Sequence, residues 1–246
     1  MRLGYLSCKD VGVLCTVDPQ CASIVEDSLN WPEKMHIVLR TRHALQSCAA
    51  KYNRLRFVTR LYLDLKFAVE DSDLQCMVST LGSRVSHIQL RTSRTRNSAT
   101  WWQLARLSSL RSIVARCCLA LGPIPHVTTV WWPKLHSITL GGPGQDVTDD
   151  CIKAVVRAAP NLRTLTLHFC DKVTDVGIAH LIAAKSLVTL SCKCMPHITT
   201  AGFAHMGSLT GLMTLRLTGC DGLTPHGLAH LALIRRLVVT DCTSRF

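Results

Sequence analysis

"LRTLTLHFCDKVTDVGIAHL", Leu162–Leu181, is the stretch that decides the fold. Its first, fourth and sixth residues, Leu162, Leu165 and Leu167, are leucines, and Cys170 stands ninth. Apolar residues alternating over "LTL" make a short strand with one buried face. Ile178, Leu181 and Ile182 then fall at helical spacing and are read as a buried helix face. The same frame returns after 25 residues as "LVTLSCKCM" from Leu187, and after 25 more as "LMTLRLTGC" from Leu212. It extends outward through "LHSITLGG" at Leu135, "LRSIVARCC" at Leu110, "VSHIQLRTS" at Val85, "VTRLYLDL" at Val58 and "IRRLVVTDC" at Ile234.

A unit of this size cannot bury its own apolar face, so successive units must stack. The units that end in cysteine and continue "DKVTDVGIAHL" or "DGLTPHGLAHL" resemble the cysteine-containing leucine-rich repeats. The match is strong over about Leu135–Cys242 and weaker over Val58–Lys134. The expected fold is therefore an α/β leucine-rich-repeat solenoid of about seven or eight units, a horseshoe with parallel strands on its concave face and helices on its convex face. In the unit from Leu187, Cys192 takes an inward leucine position and Met195 the cysteine position, soft substitutes that still let the unit close. Prolines replace most of the helix after Leu110, and "GGPGQD" after Leu140 reads as a lengthened turn. Trp101 is expected in the core and Trp102 outside it, with Trp131 and Trp132 sealing the proline-rich unit.

Residues 1–57 stand outside this frame, and residues 58–246 carry the repeats. "NWPEKMHIVLRTRHALQSCAAKYNRLRFV" reads as helical, with Leu45, Cys48, Tyr52 and Leu55 on one face. Its minimum task is to cap the apolar end of the solenoid. The stretch also resembles a compressed F-box, with "WPE" at its start and "CAAKYNRL" at its end, although Trp31-Pro32 replaces the usual Leu-Pro and the interval is short. Cysteine-containing repeats are best known from substrate receptors of ubiquitin ligases. That resemblance implies a protein-binding role and, if the F-box is functional, recruitment of a Skp-type adaptor.

The composition narrows the classes. The chain has 246 residues with 48% hydrophobic content, enough for a sizeable core, and no apolar run long enough to suggest a membrane span. Thirteen cysteines, an odd count without a secretory leader, point to reduced thiols in the cytosol or nucleus. Net charge is +12, and no acidic residue occurs between Asp73 and Asp146 while Arg84, Arg91, Arg94, Arg96, Arg106, Arg111, Arg116 and Lys134 lie there. An anionic partner follows from that balance.

Chemical constellations are missing from the sequence. His180, His205 and His230 recur in "GIAHL", "GFAHM" and "GLAHL", but neighbouring helices stand about 8–10 Å apart, too far for three equivalent histidines to share one zinc. Cys118, Cys170, Cys220 and Cys242 share one repeated position and read as small buried residues. Asp149, Asp150 and Asp175 suit helix N-terminal capping. No catalytic, cofactor or metal motif stands out, so the protein reads as non-enzymatic.

What remains is the concave face, onto which the third, fifth and seventh strand positions project. The seventh positions from Val85 onward read Arg91, Arg116, Gly141, His168, Lys193, Thr218 and Thr240. Arg216 extends this column at a fifth position, as do Gln89 and Thr166. The column is read as the binding surface for an acidic protein partner, since arginine forks match carboxylates. The alternative reading is an RNA-associated component using Arg84–Lys134.

Overall fold

The computed structural model describes residues 34–39, 59–65, 70–80, 85–92, 101–116, 132–142 and 147–242. Nine strands form one sheet in chain order, every neighbouring pair parallel. They are β1 (Lys34–Leu39), β2 (Arg60–Leu65), β3 (His87–Thr92), β4 (Ser112–Arg116), β5 (Ser137–Gly141), β6 (Thr164–His168), β7 (Thr189–Lys193), β8 (Thr214–Thr218) and β9 (Arg236–Thr240). Each of β2–β9 begins two residues after a unit start read from the leucine frame.

Strand β1 corrects the helical reading of residues 31–57 where it can be compared. Lys34–Leu39 pairs in parallel with Arg60–Leu65 and adds a ninth strand to the seven or eight units expected. In frame, its first position is Pro32 and its fourth Met35, which is why a search for leucine passed over it. The rest of 1–57, the proline-rich segment after Cys117 and the "PGQD" turn lie outside the described residues.

Helices return the chain from strand to strand: α1 (Asp71–Thr80), a 3-10 helix at Trp101–Arg106, α2 (Asp149–Ala158), α3 (Asp175–His180), α4 (Thr200–Gly207) and α5 (Pro225–His230). Strands stand about 4.8 Å apart and packed helices about 8–10 Å, so stacking them side by side bends the array with the sheet inside. Between the layers runs one continuous core. From Val85 to Leu217 the first, fourth and sixth positions, such as Leu162, Leu165 and Leu167, are buried, as are Cys192 and Met195, whereas in the last unit Ile234 and Leu237 are half-buried and Val239 is exposed. Trp132 is fully buried and its indole N–H donates to the Leu104 carbonyl at 3.1 Å. Its backbone N–H donates to Ala158, at the end of α2.

Ile182, expected on the buried helix face, faces out, and so does Leu228, which stands in α5 where Ile178 stands in α3. Ile182 is exposed because α3 stops at His180 and the chain tightens into a 3-10 turn at Leu181–Ala183, rotating Ile182 off the core face. Leu228 is exposed because its counterparts Ile178 and Phe203 are covered by the following unit, whereas no described helix follows α5.

The aspartates also differ from expectation. The N-caps of α2 and α3 are Thr148 and Thr174, so Asp149 and Asp175 sit at the first helical position, where the helix dipole favours them. Their carboxylates reach the next unit. Asp149 accepts from Thr174 N at 2.8 Å and Thr174 Oγ1 at 2.7 Å, and Asp175 accepts from Thr199 N and Oγ1 at 2.8 and 2.5 Å. At the following junction Thr200 replaces the aspartate and meets Thr224 through hydroxyls 3.0 Å apart.

This ladder explains the glycine of "GIAHL" and "GFAHM". A Cβ at Gly177 or Gly202 would stand 2.3 Å from Asp149 Oδ1 or Asp175 Oδ1. Gly177→Ala is therefore expected to cost about 1–2 kcal/mol, because displacing the carboxylate orphans the Thr174 donors and outweighs the helix gain. In an Asp149→Ala background the same change should become neutral or favourable. Urea denaturation of the four variants reads the cycle, and additive costs would contradict the ladder.

Candidate functional site: the basic concave face

Register, rather than sequence proximity, assembles the site. Arg91 pairs with Arg116, Arg116 with Gly141, Gly141 with His168, His168 with Lys193, Lys193 with Thr218 and Thr218 with Thr240. All occupy one row across β3–β9. The adjacent row holds Gln89, Thr166 and Arg216. Burial alternates along β6 and β7 so that His168, Thr166 and Lys193 are half-buried on the open face, and Arg216 is exposed. Arg91 and Arg116 are placed by their strand positions.

Gly141 interrupts the charges for a backbone reason. It has φ of +115°, and a Cβ there would lie 1.8 Å from the His168 carbonyl oxygen. No side chain fits where the row would otherwise carry one. Beyond the row the chain turns through the left-handed region at Phe169, Cys194, Gly219 and Asp241. Phe169 N–H donates to Lys193 O, and the Lys193 ammonium lies 5.7 Å from the Phe169 ring centroid. That contact places the charge beside an exposed apolar ring.

One residue missing from the sequence reading is Asp64, the register partner of Arg91 in the same row. The fainter "VTRLYLDL" unit carries it at the seventh position, so extending the frame one unit would have found it. The basic run thus begins at Arg91 and ends at Lys193. Four residues back along β3, in the third-position row, burial first, then Arg60 and Arg111, hold the His87 pKa below the ordinary 6.5. As pH falls below 6.5 the unfolded chain takes up this proton more readily than the folded one, so His87 makes stability decline with acidification. Arg111→Gln should raise the His87 pKa in an NMR titration; an unchanged value would contradict the field described.

The other candidates fall into structural roles. Cys76, Cys151, Cys170, Cys192, Cys194, Cys220 and Cys242 are thiols. Burial pushes Cys170 up to about 12, Cys220 up to about 11 and Cys192 well upward. Alkylation of these three at neutral pH should follow global unfolding and lag Cys194; rapid labelling of the folded protein would contradict their burial. His180, His205 and His230 sit in the last turns of α3, α4 and α5, and among the described residues no three His, Cys, Asp or Glu side chains gather as a metal set. No described helix is long and apolar enough to cross a membrane.

Comparison with solved structures agrees with this geometry. The crystal structure of the Rad7 and Elc1 complex in yeast matches with a TM-score of 0.56 at 20% identity, over 83% of this chain and 56% of that one. The TLR13–ssRNA13 complex matches with a TM-score of 0.55 at 15% identity, over 91% of this chain and 30% of that one. The fold is a leucine-rich-repeat solenoid. No family model and no curated relative matches the chain. The chain spans little more than half the length of the first solved structure and under a third of the second.

Proposed function

We propose that this chain is a non-enzymatic interaction module that holds an acidic protein segment on its concave face. The observation that carries the reading is the single register row joining Arg91, Arg116, His168 and Lys193. A partner laid across the strands meets Arg91 and Arg116 about 4.8 Å apart and, beyond Gly141, His168 and Lys193 at the same spacing, and arginine forks hold carboxylates through paired hydrogen bonds. The flanking Gln89, Thr166 and Arg216 add hydrogen-bonding capacity. The test is affinity capture and mass spectrometry with the native chain and with Arg91→Glu, Arg116→Glu and Lys193→Glu combined. Loss of the recovered acidic partners supports the reading, and unchanged recovery overturns it.

Within this reading the chain serves as the substrate arm of an SCF-type ubiquitin ligase, with residues 1–57 recruiting a Skp-type adaptor from a cytoplasmic or nuclear pool. The F-box-like "CAAKYNRL" and the fold shared with the Rad7–Elc1 structure support it. Because Lys34–Leu39 is a strand of the sheet, the test is Tyr52→Ala with Leu55→Ala rather than a deletion. Adaptor recovery should be lost while partner capture persists; absence of adaptor from the native chain overturns this version alone.

A second reading rests on the acid-free stretch Arg84–Lys134, which suits an RNA-associated role. Phosphate contacts make log affinity fall steeply with log salt, so a flat salt titration with RNA rejects it.

A further inference from the structure

A second cationic surface lies at the other end of the strands. Arg111, His136 and Arg163 each immediately precede β4, β5 and β6, about five residues or 16 Å along the strand from the seventh-position row. With Lys134 and Lys185 from the preceding turns they line a groove of about 590 Å³, whose other walls are Pro133, Asn161, Ser186, Val188 and Gly211.

The stacking of the units builds it. Ser137 N–H and His136 N–H both donate to the Arg111 carbonyl, and Arg163 N–H and Thr164 N–H both donate to the His136 carbonyl. These paired bonds hold the three side-chain origins in a line, with Arg111 and Arg163 flanking His136 two strand spacings, or about 10 Å, apart. The His136 Nδ1–H donates to the Lys134 carbonyl, and the Asn161 amide donates to the Pro133 carbonyl at 2.8 Å, so the turn before β5 is pinned from both sides.

Charge defines the ligand. Arg111, Lys134, Arg163 and Lys185 bring four formal positive charges to one concavity, and no carboxylate lines it. Like charges held this close favour a compact anion of more than one charge, with acceptors pointing several ways. A phosphoryl group has that form, with a charge of about −1.5 to −2 and three acceptor oxygens. A nucleic-acid strand is less suited, since no Phe, Tyr or Trp stands among the lining residues and only the His136 imidazole and the two guanidinium planes offer a face to a base. Pro133 and Val188 offer apolar wall to side chains flanking a phosphoresidue. The depressed His87, one of whose causes is Arg111, is consistent with a positive field along this edge.

We propose that this groove recognises a phosphorylated serine or threonine of a protein segment, making the strand-start edge a phosphate-dependent docking site separate from the concave row. Arg111 and Arg163 clamp the phosphoryl oxygens, and Lys134 and Lys185 balance the remaining charge.

The test uses fluorescence anisotropy at about 0.15 M salt, a Debye length of about 8 Å. The probe is a short labelled alanine–glycine peptide with a central phosphoserine, compared with its serine counterpart. The phosphopeptide should bind at least about tenfold more tightly than the serine form. Arg111→Ala combined with Arg163→Ala should weaken it by about tenfold or more, whereas Lys193→Ala on the concave row should leave it within about twofold. Arg111 and Arg163 are exposed, so an unchanged circular dichroism spectrum and melting temperature confirm that the variant folds. Equal binding of both peptides, no binding of either, or full affinity in the double variant overturns the proposal. So does tighter, Arg111-dependent binding of a single-stranded RNA of equal charge. Failure of this groove leaves the concave-row reading intact, because that reading is probed by Lys193 and its row.

Discussion

Trp132→Ala is expected to cost about 4–5 kcal/mol, a large share of the 5–15 kcal/mol that a folded domain commands. The indole is fully buried at the back of the unit before β5. Removing it leaves a cavity in the continuous core and takes away one of the two donors to the Leu104 carbonyl, the other being the Leu107 N–H. The effect should also change the shape of unfolding. Trp132 contacts Leu104 through its side chain and Ala158 through its backbone, so one residue ties the units on either side of a proline-rich segment. Solenoid units couple only to their neighbours, and a weakened junction lets the two halves melt separately. Trp132→Phe retains most of the volume and should cost about 1–2 kcal/mol for the lost hydrogen bond. Urea denaturation followed by circular dichroism measures both. A cost below about 1 kcal/mol for Trp132→Ala, with one sharp transition, would contradict the seam.

For the concave row, the combined Arg91→Glu, Arg116→Glu and Lys193→Glu chain should bind its acidic partner about a hundredfold more weakly at low salt. Reversing one charge of the row exchanges an attraction for a repulsion, about 1 kcal/mol each, and about 1.4 kcal/mol is tenfold in affinity. Most of the change should appear in the association rate, because such charges steer encounter. Raising salt from about 0.05 to 0.5 M should shrink the difference severalfold. Isothermal titration and stopped-flow kinetics read these quantities; equal affinity for both chains would place binding elsewhere.

Much of this architecture was legible because leucine-rich repeats encode position by spacing. Each unit start from Val58 to Ile234 lies two residues before a strand, and the inward strand positions from Val85 to Leu217 are buried, Cys192 among them, as is Met195. What the sequence hid was hidden for physical reasons. The unit of strand β1 has Pro32 at its first position and Met35 at its fourth, so its sequence does not match the leucine pattern. Ile182 and Leu228 carry the helical spacing, yet one follows a 3-10 turn and the other has no described helix over it. The Asp149–Thr174 and Asp175–Thr199 bonds join residues 25 and 24 apart, so only stacking reveals them. The same holds for the candidate site. Alternation put Arg91, Arg116, His168 and Lys193 on one face and the seventh position of the Val58 unit already carried Asp64, but the groove at the strand starts required the register.

The central claim is that a partner lies along the seventh-position row, and photo-crosslinking tests it most directly. A photoreactive amino acid is placed at Thr166 on the concave face in one chain and at Val176 on the exposed convex helix in another. Each chain is irradiated with the captured partner. The account predicts a crosslink from Thr166 that disappears when Lys193 is reversed to glutamate, and none from Val176. A crosslink from Val176 with none from Thr166 would contradict it.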